Sequence, residues 1–115
     1  MNDDEFSAVL DRRIKLIKHV LDYKSADYSR EKDKLHNFKR AAKILGVTPE
    51  KALLGMYIKH LTSVLDIVDD IEQGKLPTED ILEEKIGDSI NYHILLEALI
   101  NERINQRIKN KLGVK

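Results

Sequence analysis

Glu84, Asp88 and Asn91 recur at steps of four and three residues within the run Glu84–Leu96. At about 100° per residue they share one line of a helix, and Leu95, Ala98 and Leu99 continue that line further along. Two carboxylates and an amide are therefore aimed where apolar groups soon follow. Polar groups turned toward an interior need partners, whether other side chains, a metal ion or a ligand. Gly87 lies inside the same segment. A helical glycine costs up to about 1 kcal/mol relative to alanine, so it marks either a kink or a close approach by another backbone or a ligand.

More acids stand within reach of this segment. Asp66, Asp69 and Asp70 close one helical stretch, and Glu83, Glu84 and Asp88 open the next. A tight antiparallel hairpin brings the two groups near each other. Clustered carboxylates supply the hard oxygen ligands of Mg²⁺, and Mg²⁺ carries phosphates. The same residues also read as a solvated helix face, with Glu84 paired to Lys59 or Lys85. Lys59, between Ile58 and His60 and close to Tyr57, either reaches a phosphate or runs its stem out to water. His19, His36, His60 and His93 show no metal-site spacing, and no HExxH, phosphate-binding glycine loop or nucleophile elbow occurs.

The elements that must position these groups are helical. Asn2 caps a first helix with Glu5 completing a capping box, and Phe6, Val9, Leu10, Ile14, Ile17, Val20 and Leu21 carry its apolar period to about Tyr23. Lys24–Lys34 loses the period and reads as a loop, in which Tyr28 either pins the segment to the core or stacks on a ligand. Leu35–Leu45 reads as a short helix stopped by Gly46. Thr48-Pro49 and Pro77-Thr78 start two long helices, Pro49 to about Gln73 and Glu79 to about Leu112. Leu53, Leu54, Tyr57, Ile58, Leu61, Val64, Leu65, Val68 and Ile71 form the stripe of the first of these. Beyond Asn101 only Ile104, Ile108 and Leu112 stay apolar, a narrow seam suited to another chain. The expectation is an all-α bundle of about four helices with a long C-terminal helix, one domain over residues 1–115, packed as an oligomer.

Composition narrows the functional classes. Hydrophobic residues are 42% and charged residues 35%, and 20 basic side chains balance 20 acidic ones. A general basic footprint for DNA or RNA is missing. The absence of cysteine excludes disulfides, thiol catalysis and cysteine-bound zinc, and suits a reducing cytoplasm. No apolar run approaches the roughly 20 residues of a membrane span, and the start MNDDEFSAVL is acidic where a signal peptide is basic.

Taken in order, Lys24-x-x-Asp27-Tyr28, Asn37-Phe38, Lys59-His60 and Glu84-x-x-x-Asp88-x-x-Asn91-Tyr92 form a series over roughly residues 20–100. This series resembles the phage and prophage family called nucleotide modification-associated domain, type one. Residues 101–115 then form a C-terminal helical extension. The resemblance implies a nucleotide or nucleotide-derived ligand in the cytoplasm of an infected or lysogenic bacterial host. It implies Tyr28, Phe38 or Tyr92 on the base, Lys24 and Lys59 on phosphate, and Asn91 with Asp88 on polar edges, with Asp27 and Asn37 completing the set. Thr62 stands where the family pattern has an arginine, and Ser29 where a glycine often follows the Asp-Tyr pair. A more distant likeness is to all-α nucleoside triphosphate pyrophosphohydrolases of MazG and dimeric dUTPase type. Asp66-x-x-Asp69, a gap of 14 residues and Glu84-x-x-x-Asp88 follow that layout, with aspartate in the first pair and one residue too many in the second.

Three functions are therefore expected in turn. The first is binding of a nucleotide or nucleotide-derived molecule, for processing or sequestration. The second is Mg²⁺-dependent pyrophosphohydrolysis through Asp66, Asp69, Glu84 and Asp88. The third is an interaction module in which Glu84, Asp88 and Asn91 form a structural polar network.

Overall fold

The computed structural model describes residues 1–24 and 33–113. Four helices make up these residues: α1 (Asp3–Lys18), prolonged by a π-helical turn (His19–Lys24), α2 (His36–Leu45), α3 (Pro49–Glu72) and α4 (Glu79–Lys111). The described residues contain no strand.

Local chemistry sets the helix ends. The backbone N–H of Glu5 donates to Asn2 Oδ1 at 2.8 Å, and acids fill the first turn of α1, where they oppose the positive end of the helix dipole. Thr48 Oγ1 accepts from the Lys51 N–H, and Thr78 Oγ1 from the Ile81 N–H, each at 3.2 Å. Proline stands in the first turn of α3, where its missing donor does no harm. The α3–α4 reversal turns on Gly74, whose φ of 82° is a left-handed conformation. The N–H of Lys75 there returns to the Asp70 carbonyl and that of Gly74 to the Ile71 carbonyl, satisfying the end of α3.

The antiparallel hairpin α3–α4 is the frame. α2 packs on the start of α3, and α1 lies against the first half of α4. The core gathers Leu35, Phe38, Leu53 and Leu99, with Tyr57, Tyr92, Leu95, Leu96 and Ala98 packed around it. Charge pairs fasten its rim. Lys39 bridges Asp33 (2.7 Å) and Glu102 (2.6 Å), and Arg103 holds Glu50 through two bonds of 2.9 and 2.8 Å.

The molecule is elongated, 56 × 33 × 27 Å, with a radius of gyration of 17.4 Å. A compact chain of this length has about 13 Å. The apolar stripe of α3 divides into two seams. Leu53, Tyr57, His60, Val64 and Ile67 turn inward, whereas Leu54, Ile58, Leu61, Leu65 and Val68 are exposed. The reason is geometric: among the described residues α3 packs mainly on α4 and α2, which reach part of its circumference. On α1 no residue is fully buried, and among the described residues its main partner outside its own continuation is α4.

Candidate functional site

A groove of about 330 Å³ runs between the end of α1 and the first half of α4. Its α4 wall carries Glu84, Gly87, Asp88 and Asn91, the polar line singled out by spacing. Arg13, Leu16, Ile17, His19 and Val20 form the other wall. His19 and Val20 belong to the π-helical turn, a distortion of helices that occurs frequently at functional sites.

Asn91 is the decisive residue. It is 6% exposed, and its Oδ1 has no hydrogen-bond partner among the described residues. A buried carbonyl left unpaired costs about 1–3 kcal/mol. A closed structural network through Glu84, Asp88 and Asn91 is therefore not formed at Asn91. Glu84 instead lies 3.6 Å from its sequence neighbour Lys85.

Gly87 has a clear explanation. Arg13 crosses α4 at this point and donates from Nη1 to the Glu83 carbonyl at 3.1 Å, and a Cβ on residue 87 would lie 2.7 Å from that nitrogen. Arg12 binds the Glu83 carboxylate at 2.9 Å. The neighbour at Gly87 is thus a side chain of α1, where a kink, a backbone or a ligand was expected. The spacing of Arg12 and Arg13 along α1 does not encode which helix they cross.

Asp88 has a second neighbour. His60 on α3 places Nδ1 3.6 Å from Asp88 Oδ2, an ion pair when the imidazole is protonated. The His60 ring lies 4.5 Å from that of Tyr92, which meets Phe38 edge-on at 6.0 Å. Tyr57 meets His93 edge-on at 4.7 Å and stands 3.4 Å from Ser89 Oγ. Burial, and then the Asp88 charge, raise the Tyr92 hydroxyl above the usual tyrosine value.

Of the residues expected to meet a ligand, Asp88 and Asn91 share the groove. Phe38 is buried in the core and Tyr92 is half-buried against it, so both rings are occupied by packing. Lys59 is exposed on α3, and Asn37 is exposed on the first turn of α2. Asp27 and Tyr28 lie outside the described residues, as does the Lys24 side chain. For the expected Mg²⁺ set, Asp66 and Asp69 are exposed on α3, and among the described residues no three of His, Asp and Glu are placed to hold a metal ion. Within one chain the donors do not fit that ion.

No family model matches the chain. No solved structure matches it. A curated relative is the β subunit of DNA-directed RNA polymerase from Fusobacterium nucleatum, 31% identical over 111 residues. That alignment covers 96% of this chain but 9% of the polymerase subunit. Among the described residues no helix is long and apolar enough to cross a membrane.

Proposed function

We propose that the α1–α4 groove binds a nucleotide or nucleotide-derived small molecule, with Asn91 Oδ1 accepting a hydrogen bond from the base. The single observation that supports this reading is the buried, unpartnered amide oxygen on the groove wall. An acceptor held dry and unpaired favours a ligand that brings a donor, since the new bond removes a desolvation cost already incurred. Exocyclic amino groups and ring N–H groups of bases are such donors.

The charges of the groove refine the ligand. Asp80, Glu83, Glu84 and Asp88 line it, against Arg13 and His19. Carboxylates accept from amino groups and repel phosphate, so the base enters this groove and phosphates point out of it. The resemblance to the nucleotide modification-associated series, in which Asp88-x-x-Asn91-Tyr92 together with Asn37-Phe38 is the most specific part, supports the same ligand class.

Isothermal titration against a panel of nucleosides, deoxynucleoside triphosphates and cyclic nucleotides tests the proposal. Binding is expected for members with an amino-bearing base and is expected to be lost in Asn91→Leu. Absence of heat with every member of the panel overturns it.

A further inference from the structure

The outward seam of α3 has the spacing of a helix that pairs with another helix. Leu54, Ile58, Leu61, Leu65 and Val68 follow steps of four, three, four and three residues, and each is between 37% and 55% exposed. That alternation keeps one apolar line facing a partner over four turns.

Charge then selects the partner and its direction. The seam is nearly symmetric about Leu61: Leu54 and Val68 lie seven residues to either side, and Lys51 and Glu72 lie ten and eleven residues away. Lys51 and Glu72 are both exposed, and neither forms an ion pair among the described residues. We infer that α3 pairs antiparallel with α3 of a second copy of this chain, across a two-fold axis at Leu61. In that arrangement each Lys51 meets Glu72 of the other copy, two such contacts in all, and both ends of the seam are closed by opposite charges. A parallel pair sets Lys51 on Lys51 and Glu72 on Glu72, a repulsive arrangement. The inference is independent of the ligand groove, which lies between α1 and α4.

The chain has no cysteine, so single cysteines can be placed at will. Light scattering of the full chain is expected to give at least twice the 13.3 kDa of one protomer. Leu61→Cys is expected to cross-link to itself with a short bis-maleimide. Leu54→Cys is not, because its two copies stand about 21 Å apart at 1.5 Å per residue. Lys51→Glu should weaken self-association about tenfold through two reversed contacts, and the double variant Lys51→Glu with Glu72→Lys should restore it. Three outcomes each overturn the inference: a single-chain mass at high micromolar concentration, cross-linking at residue 54 equal to that at 61, or no recovery in the charge swap.

Discussion

Replacing Asn91 by leucine separates stability from binding. Asn91 is 6% exposed and its Oδ1 is unpaired, so the native chain carries a desolvation cost of about 1–3 kcal/mol at one atom. Leucine has nearly the same volume and removes that atom. The neighbours of residue 91 along its helix line, Leu95 and Leu99, are already part of the apolar core or packed on it. Asn91→Leu should therefore stabilise the unliganded protein by about 1–2 kcal/mol, since the leucine side chain also meets groove carboxylates it cannot pair with. At about 2.1 cal/mol/K per residue, unfolding 115 residues carries about 0.24 kcal/mol/K, so Tm should rise by about 4–8 °C. Circular dichroism melts at matched protein concentration measure this, matched because the proposed self-association would make Tm concentration-dependent. Urea titration should show a higher midpoint with an unchanged slope. The same variant should no longer bind any nucleotide that the native chain binds. A Tm lowered by several degrees in the absence of ligand would show that Asn91 has a structural partner, and would refute the reading of the groove as a site.

Other perturbations follow from the same contacts. Gly87→Ala should be within about 1 kcal/mol of neutral in the native background, where helix propensity gained offsets the displaced Arg13 contact, but stabilising by about 1 kcal/mol in Arg13→Ala; a double-mutant cycle without coupling would refute the crossing of Arg13 over Gly87. Leu53→Ala, at a side chain 1% exposed, should cost about 2–5 kcal/mol in urea unfolding, whereas Leu54→Ala one residue away should cost the protomer little and weaken self-association instead. The Arg103 hydrogen bonds hold the Glu50 carboxyl below its ordinary value, and Lys39 does the same for Asp33. A folded-state value below the unfolded one means stability that is present above about pH 4.5 for Glu50 and is lost as pH falls through the folded value. The Tm difference between native protein and Glu50→Gln should therefore shrink as melts move from pH 6 toward pH 3, and a constant difference would argue against the pair. Lys39 is held above its ordinary value by Asp33 and then Glu102, so its contribution is complete below pH 10.5 and is lost as pH rises through the higher folded value.

Much of this architecture is legible in the residue order. Asn2, Thr48 and Thr78 mark helix starts, and Gly46 and Gly74 mark helix ends, because caps and left-handed turns are set by groups a few residues apart. The all-α class and the length of α4 follow from the same local rules. The polar line Glu84–Asp88–Asn91 is likewise visible, since residues four and three apart must share a helix face. What spacing leaves open is which face meets which neighbour. Tertiary packing decided that Arg13 lies over Gly87, that Phe38 and Tyr92 are occupied by each other, and that Asp66 and Asp69 are exposed. It also divided the α3 stripe into an inward and an outward half. Periodicity specifies a direction around one helix axis, but burial depends on how much of that circumference other helices reach. That extent is set by the placement of whole helices against α4, a relation between distant parts of the chain that no local pattern contains.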